Sequence, residues 1–189
     1  MQISKKGVSE KMIEILHHRW SLPLITEIYS DRGAKFLTLV NRLQISRDSL
    51  TRTLKSLVRQ GWIIKNPGHG HPLRPEYILT SGGERIGPVC QSLVEKIRES
   101  KLEKIALNKW SLPILTAICS GETRFSELKK SFSLVTPRAL TQTLKALDSA
   151  GLVKRVVKDS YPPSVEYFST ADGLSFCPLL ADFSTALDE

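Results

Sequence analysis

Leucine recurs at i, i+4 and i+7 twice along the chain, as Leu50, Leu54 and Leu57 and as Leu140, Leu144 and Leu147, with polar residues between. Each trio is the buried stripe of a one-sided helix. Ser46 and Thr136 stand ahead of these helices as N-caps, and Pro137 adds a first-turn proline to the second. Gly61 and Gly151 follow, where a helix closes on a left-handed residue. Past the glycines the period shortens. WIIK (62–65) and LVKRVV (152–157) read as strands, EYIL (76–79) and EYFS (166–169) as their hairpin partners, with tips at Asn66–Arg74 and Lys158–Ser164. Upstream, Ser21 and Ser111 are expected to cap a short helix whose first turn tolerates Pro23 and Pro113. A second short helix is expected at Leu37–Leu43 and Ser126–Phe132.

These features come in pairs because the chain repeats itself. RWSLPLITEIYS (19–30) aligns with KWSLPILTAICS (109–120), an offset of 90. The same offset aligns SRDSLTRTLKSLVRQG (46–61) with TPRALTQTLKALDSAG (136–151), and PEYILTSGG (75–83) with VEYFSTADG (165–173). Trp20 and Trp110, Gly61 and Gly151, Tyr77 and Tyr167, and Pro88 and Pro178 all coincide. One residue slips in the Asp31–Lys35 loop and returns near Ser133, so Phe36 pairs with Phe125. A period this long is a duplicated domain rather than a solenoid. Each copy, a helix, a helix-turn-helix and a two-stranded hairpin, is a winged helix-turn-helix. The fold class expected is mainly α with small β-hairpins (α+β), with domains at 1–98 and 99–189.

Between the copies, Pro88 to Asn108 carries no strand signal and predicts one long helix joining the domains in a pseudo-twofold arrangement. Val89, Leu93, Ile97, Leu102 and Ile105 are placed to pack on an N-terminal helix (Lys11–His18) and a C-terminal helix (Leu174–Leu187). A helical connector fixes domain spacing far better than a Gly/Ser linker.

At 189 residues, 41% hydrophobic and 24% charged, the chain falls in the ordinary globular range. It holds no apolar run long enough for a membrane span, and the opening MQISKKGVSEKMIEI lacks a signal-peptide core. Cys90, Cys119 and Cys177 are far apart, which argues against a disulfide framework or clustered zinc site and fits a reducing cytoplasm. Cys119, aligned with Tyr29, is expected as a small buried side chain, and Cys90 and Cys177 as inert.

The net charge of +8 changes the picture by pointing to a polyanion. Opposite the leucines lie Arg47, Asp48, Thr51, Arg52, Lys55 and Arg59 in the first copy, and Arg138, Thr141, Gln142 and Lys145 in the second. Arg, Gln and Lys on a helix can read base edges in the major groove of double-stranded DNA, while Thr and Lys hold phosphates. The wings add Lys65, His69, His71 and Arg74, and Lys154, Arg155 and Lys158. Residues 1–99 hold 16 basic and 9 acidic side chains, residues 100–189 hold 11 and 10, so the first copy is expected to grip DNA harder.

KWSLPIL, RFSELKKSF, TPRALTQTLKALDSAGLVKR and YPPSVEYFSTADG, in that order, resemble the HxlR-type winged-helix regulators, relatives of the MarR group. The likeness covers nearly all of the second copy, residues 109–187. The first matches more loosely, with Arg47-Asp48 after the cap and GHGHPLRPEY stretching the wing. The resemblance implies homodimers with two recognition helices in successive major grooves. Here two copies in one chain would form an intramolecular pseudo-dimer on an asymmetric site, with half-sites roughly 34–36 Å apart. Repression is the default outcome, and there is room for a small-molecule effector and for further homodimerisation. Some relatives sense oxidants through a cysteine just ahead of the first Trp; this chain has none there.

An enzyme has nothing to stand on: there is no GxxxxGK loop, GxSxG elbow, HExxH or paired-carboxylate motif, and no cofactor is implied. His69 and His71 suit turn geometry better than a metal. The competing reading keeps the fold and drops the DNA, since Asp48 would repel phosphate. One or both copies would then be protein-interaction modules.

Overall fold

A computed structural model describes residues 8–66, 76–159, 161 and 164–189. In the first copy, α1 (Glu10–Ile15), α2 (Ser21–Ser30), β1 (Ala34–Lys35), α3 (Phe36–Leu43) and α4 (Arg47–Arg59) precede the hairpin β2 (Ile63–Asn66) and β3 (Glu76–Leu79). The second copy repeats the order in α6 (Glu103–Ala106), α7 (Ser111–Cys119), α8 (Phe125–Ser131), α9 (Pro137–Ser149), β4 (Val153–Lys158) and β5 (Ser164–Ser169). α5 (Ser81–Glu99) closes the first copy; α10 (Ala171–Leu174) and α11 (Cys177–Asp188) close the second. The fold is the α+β, tandem winged helix-turn-helix architecture that the sequence pattern predicts.

The leucine stripes form the cores. Leu50, Leu54 and Leu57 are buried beneath α4, and Leu140, Leu144 and Leu147 beneath α9. Each fully buried leucine contributes about 1.5–3 kcal/mol. Both helices end alike. Gly61 and Gly151 are left-handed, at φ +79° and +72°. Trp62 N–H donates to Leu57 and Leu152 N–H to Leu147, both at 3.0 Å, closing the last turn and starting the first hairpin strand. Antiparallel registers follow, Ile63 opposite Leu79 and Val153 opposite Ser169. In the first copy β1 adds a third strand, with Ala34 opposite Tyr77; in the second, among the described residues, its counterpart is an isolated Arg124–Glu166 bridge.

Three local expectations need correction. Ser21 and Ser111 do not cap: each is the first helical residue, buried, behind Trp20 or Trp110 in the cap position, with no side-chain cap bond. The connector does not run from Pro88 to Asn108. Thr80 caps it, accepting from Gly83 N–H at 3.1 Å, so α5 begins at Ser81 and runs through Pro88. It stops at Glu99 because Lys101 turns left-handed (φ +56°), and Leu102 N–H closes back on Ile97 at 3.0 Å. A lysine here takes the place usually given to glycine, so the stop carried no sequence signal. The C-terminal helix likewise starts at Cys177, after a break from α10.

The third correction concerns cysteine. Cys119 and Cys177 form a disulfide, with Cα atoms 5.7 Å apart, tying α7 to α11. Cys119 is therefore neither free nor fully buried, and Cys177 is not an isolated thiol. Cys90 is free and fully buried, and burial pushes its thiol far above the ordinary range, which keeps it inert.

The copies meet through a reciprocal exchange. α11 packs on α5, α1 reaches across to α11, and α6 packs on α5. Lys11 Nζ donates to the Leu187 carbonyl at 2.8 Å, and Lys96 lies 5.8 Å from the centre of the Phe176 ring. Equivalent elements thus make equivalent contacts across the joint between the copies.

Candidate nucleic-acid interface

α4 and α9 are positioned by their caps. Ser46 Oγ accepts from Ser49 N–H at 3.3 Å and Thr136 Oγ1 from Ala139 N–H at 3.2 Å. With the leucines turned inward, Arg47, Asp48, Arg52 and Lys55 are exposed on α4, and Arg138, Gln142 and Lys145 on α9. Among the described residues, nothing covers these side chains. Thr51 and Thr141 are half-buried, and their hydroxyls donate back to the carbonyls of Arg47 and Pro137 at 2.8 and 2.9 Å. Their protons are therefore engaged within the helix, leaving oxygen lone pairs and methyl groups toward any partner. Asp48 lies in the first turn of α4, where a negative charge favours the helix N-terminus.

The hairpins are less uniform. Lys65 on β2 and Lys154 and Arg155 on β4 are exposed. Lys158 is exposed but lies 3.7 Å from Glu166 Oε2 and 5.7 Å from the centre of the Phe168 ring, so part of its charge is already answered. Arg124 shares the same carboxylate at 3.4 Å. His69, His71 and Arg74 lie outside the described residues. Among the described residues, no group of His, Cys, Asp and Glu is arranged to hold a metal ion.

Two contributors were not legible in the charge pattern. Asp148 Oδ1 accepts from the Arg155 backbone N–H at 3.1 Å, holding the second wing against the end of α9; its counterpart in the first copy is Val58. Glu127 Oε2 accepts from Arg124 N–H at 2.9 Å, fixing the start of α8 beside the same wing. Glu127 stands three residues after the cap, a spacing that could have been found.

A helix seated by a cap and a leucine stripe, exposed on its polar face and flanked by a hairpin, defines a winged helix-turn-helix protein. The chain belongs to the HxlR-like helix-turn-helix family, which matches it twice, over residues 15–104 and 105–188. It is similar to an HTH-type transcriptional regulator of Methanothermobacter thermautotrophicus, 42% identical over 72 residues, which is 38% of this chain and 55% of that protein. It is also similar to the HTH-type transcriptional regulator YkvN of Bacillus subtilis, 40% identical over 74 residues, 39% of this chain and 63% of the relative. The chain thus spans little more than half the length of these relatives. A solved structure of a MarR-family regulator from Porphyromonas gingivalis W83 is 29% identical, covering 47% of this chain and 85% of its own, with a TM-score of 0.42.

Proposed function

We propose that the protein is a sequence-specific, non-enzymatic DNA-binding regulator of transcription, a repressor, acting in the cytoplasm as a single-chain pseudo-dimer on an asymmetric operator. The observation that carries this reading is the pair of uncovered recognition faces on α4 and α9, one in each family match. Their side chains differ. Arg47, Arg52 and Lys55 supply three cations on one face; Arg138, Gln142 and Lys145 supply two and an amide on the other. Different side chains read different base edges, so the half-sites are not identical. The first copy takes the larger share of the phosphate neutralisation that dominates affinity.

The test is selection of bound duplexes from a random pool, expected to return two unlike half-sites about one helical turn apart. On the selected duplex, Arg52→Ala costs more affinity and flattens the salt dependence more than Gln142→Ala. Equal losses would remove the assigned asymmetry. Elution from heparin at low salt would favour a protein-interaction module instead. Asp48→Asn raises affinity several-fold by removing a charge that faces phosphate, and lowers helix stability by about 0.3–1 kcal/mol. Electrophoretic shift and thermal melting on the same preparation check both parts, and unchanged affinity would place Asp48 away from the duplex.

A further inference from the structure

The duplication makes each copy a control for the other, since outside the one-residue slip aligned positions stand ninety residues apart. One region departs sharply. A cleft of about 400 Å³ opens between the end of α1 and the flank of α4, lined by Glu14, His17, His18, Ser56, Arg59 and Gln60. The counterparts in the second copy are Lys104, Leu107, Asn108, Ala146, Ser149 and Ala150. The two imidazoles and the guanidinium become Leu107, Asn108 and Ser149, the carboxylate becomes Lys104, and the two residues that brace the wall become alanine.

The bracing is specific. Gln60 Nε2 donates to the Glu14 carbonyl at 3.2 Å and to Ser56 Oγ at 3.0 Å, tying α4 to α1 across the cleft. His17 and His18 stand edge to face with ring centres 5.0 Å apart. Lys109 of the second copy, its Nζ held 4.6 Å from the centre of the Trp110 ring, does not line the cleft, but its charge is felt at both imidazoles. Among the described residues, none of Arg52, Arg59 and Lys109 is in an ion pair. Glu14 is the carboxylate that lines the cleft, and it is exposed. Gathering like charges against a braced wall is unfavourable until an anion arrives.

We propose that this cleft binds a phosphate-type oxyanion, gripped by Arg59 and the two histidines, so that its occupant joins the end of α1 to the recognition helix of the first copy. Both imidazoles bind protons less readily than a free histidine. The cause is first their burial and then the cations around them: Lys109 and Arg59 for His17; His17, Arg52, Arg59 and Lys109 for His18. These surroundings favour the neutral imidazoles, and a bound anion draws protons onto them. Oxyanion binding therefore takes up protons at the imidazoles.

The experiment titrates inorganic phosphate into the full chain at pH 6 and pH 8, following heat and the imidazole NMR signals. Binding is expected to saturate, to move the imidazole signals, and to weaken about tenfold in Arg59→Gln, the loss of one charge-assisted contact. Lys130→Gln, an exposed charge on α8, should bind as the unmodified chain does. Because Arg59 is exposed, its replacement leaves the fold intact, which circular dichroism checks. A second arm measures duplex binding against salt and alone rests on the DNA reading above. Loss of about one unit of salt slope in Arg59→Gln, without saturable free phosphate, identifies the duplex backbone as the source of the phosphate. No saturable phosphate binding together with an unchanged salt slope overturns the proposal, as does free-phosphate binding that ignores Arg59→Gln.

Discussion

Gly173→Ala destabilises the second copy by about 3 kcal/mol or more, and Gly83→Ala does the same to the first. A Cβ on Gly173 would overlap the carbonyl oxygen of Leu152, and one on Gly83 the carbonyl oxygen of Trp62. Neither carbonyl is free to retreat. Each accepts a backbone bond, from Thr170 N–H and Thr80 N–H respectively, both at 3.1 Å. The threonine hydroxyls lock the same knot from the other side. Each accepts from its glycine N–H at 3.1 Å and donates to the carbonyl of the helix-ending glycine, Gly151 or Gly61. Relief would have to break the junction that sets the hairpin against the closing helix. Gly82→Ala is the control, since its nearest neighbour is the Trp62 ring at 3.5 Å, ordinary contact distance. Urea unfolding followed by circular dichroism reads the difference. A Gly173→Ala midpoint equal to that of the unmodified chain would show that this junction is not rigid.

Such junctions explain what was legible in the sequence. The leucine stripes, the caps Ser46 and Thr136 and the left-handed glycines are local signals. They were read directly because each follows from a short-range rule. Alignment of the copies made them mutually reinforcing. The failures share a different cause. Ser21 and Ser111 look like caps, but tryptophans take that position and the serines are buried. The end of α5 falls on Lys101, where packing imposes a left-handed turn on a residue with no preference for it. At the candidate interface, the exposed cations on α4 and α9 follow from helical period alone. The engagement of Lys158 with Glu166, and of Asp148 with the wing, depends on strand register and could not. The charge that Lys109 adds around the histidines comes from ninety residues beyond Arg19.

The cysteine pair carries no local signal either, although the duplication holds the clue. Cys119 aligns with Tyr29 and Cys177 with Gly87. In the first copy those two touch: a Cβ on Gly87 would run into the Tyr29 ring. One helix-to-helix contact, α2 to α5 or α7 to α11, is thus made by a ring on a glycine in one copy and by a covalent bridge in the other. Reduction of Cys119–Cys177 opens a cross-link spanning 58 positions and should cost about 2–4 kcal/mol. The loss falls on the second copy, and through α11 on the joint between the copies. The two solutions should be exchangeable. Cys119→Tyr with Cys177→Gly rebuilds the first copy's contact and should recover much of what Cys177→Ser loses. Cys119→Tyr alone should be the worst variant, because the ring then meets a side chain where the first copy has none. Melting temperatures of the three variants, with and without dithiothreitol, decide it. Equal stability of the chain in both conditions would mean the bridge adds nothing to packing. Failure of the double exchange, beside a destabilising Cys177→Ser, would mean the copies have diverged too far around this contact to share one design.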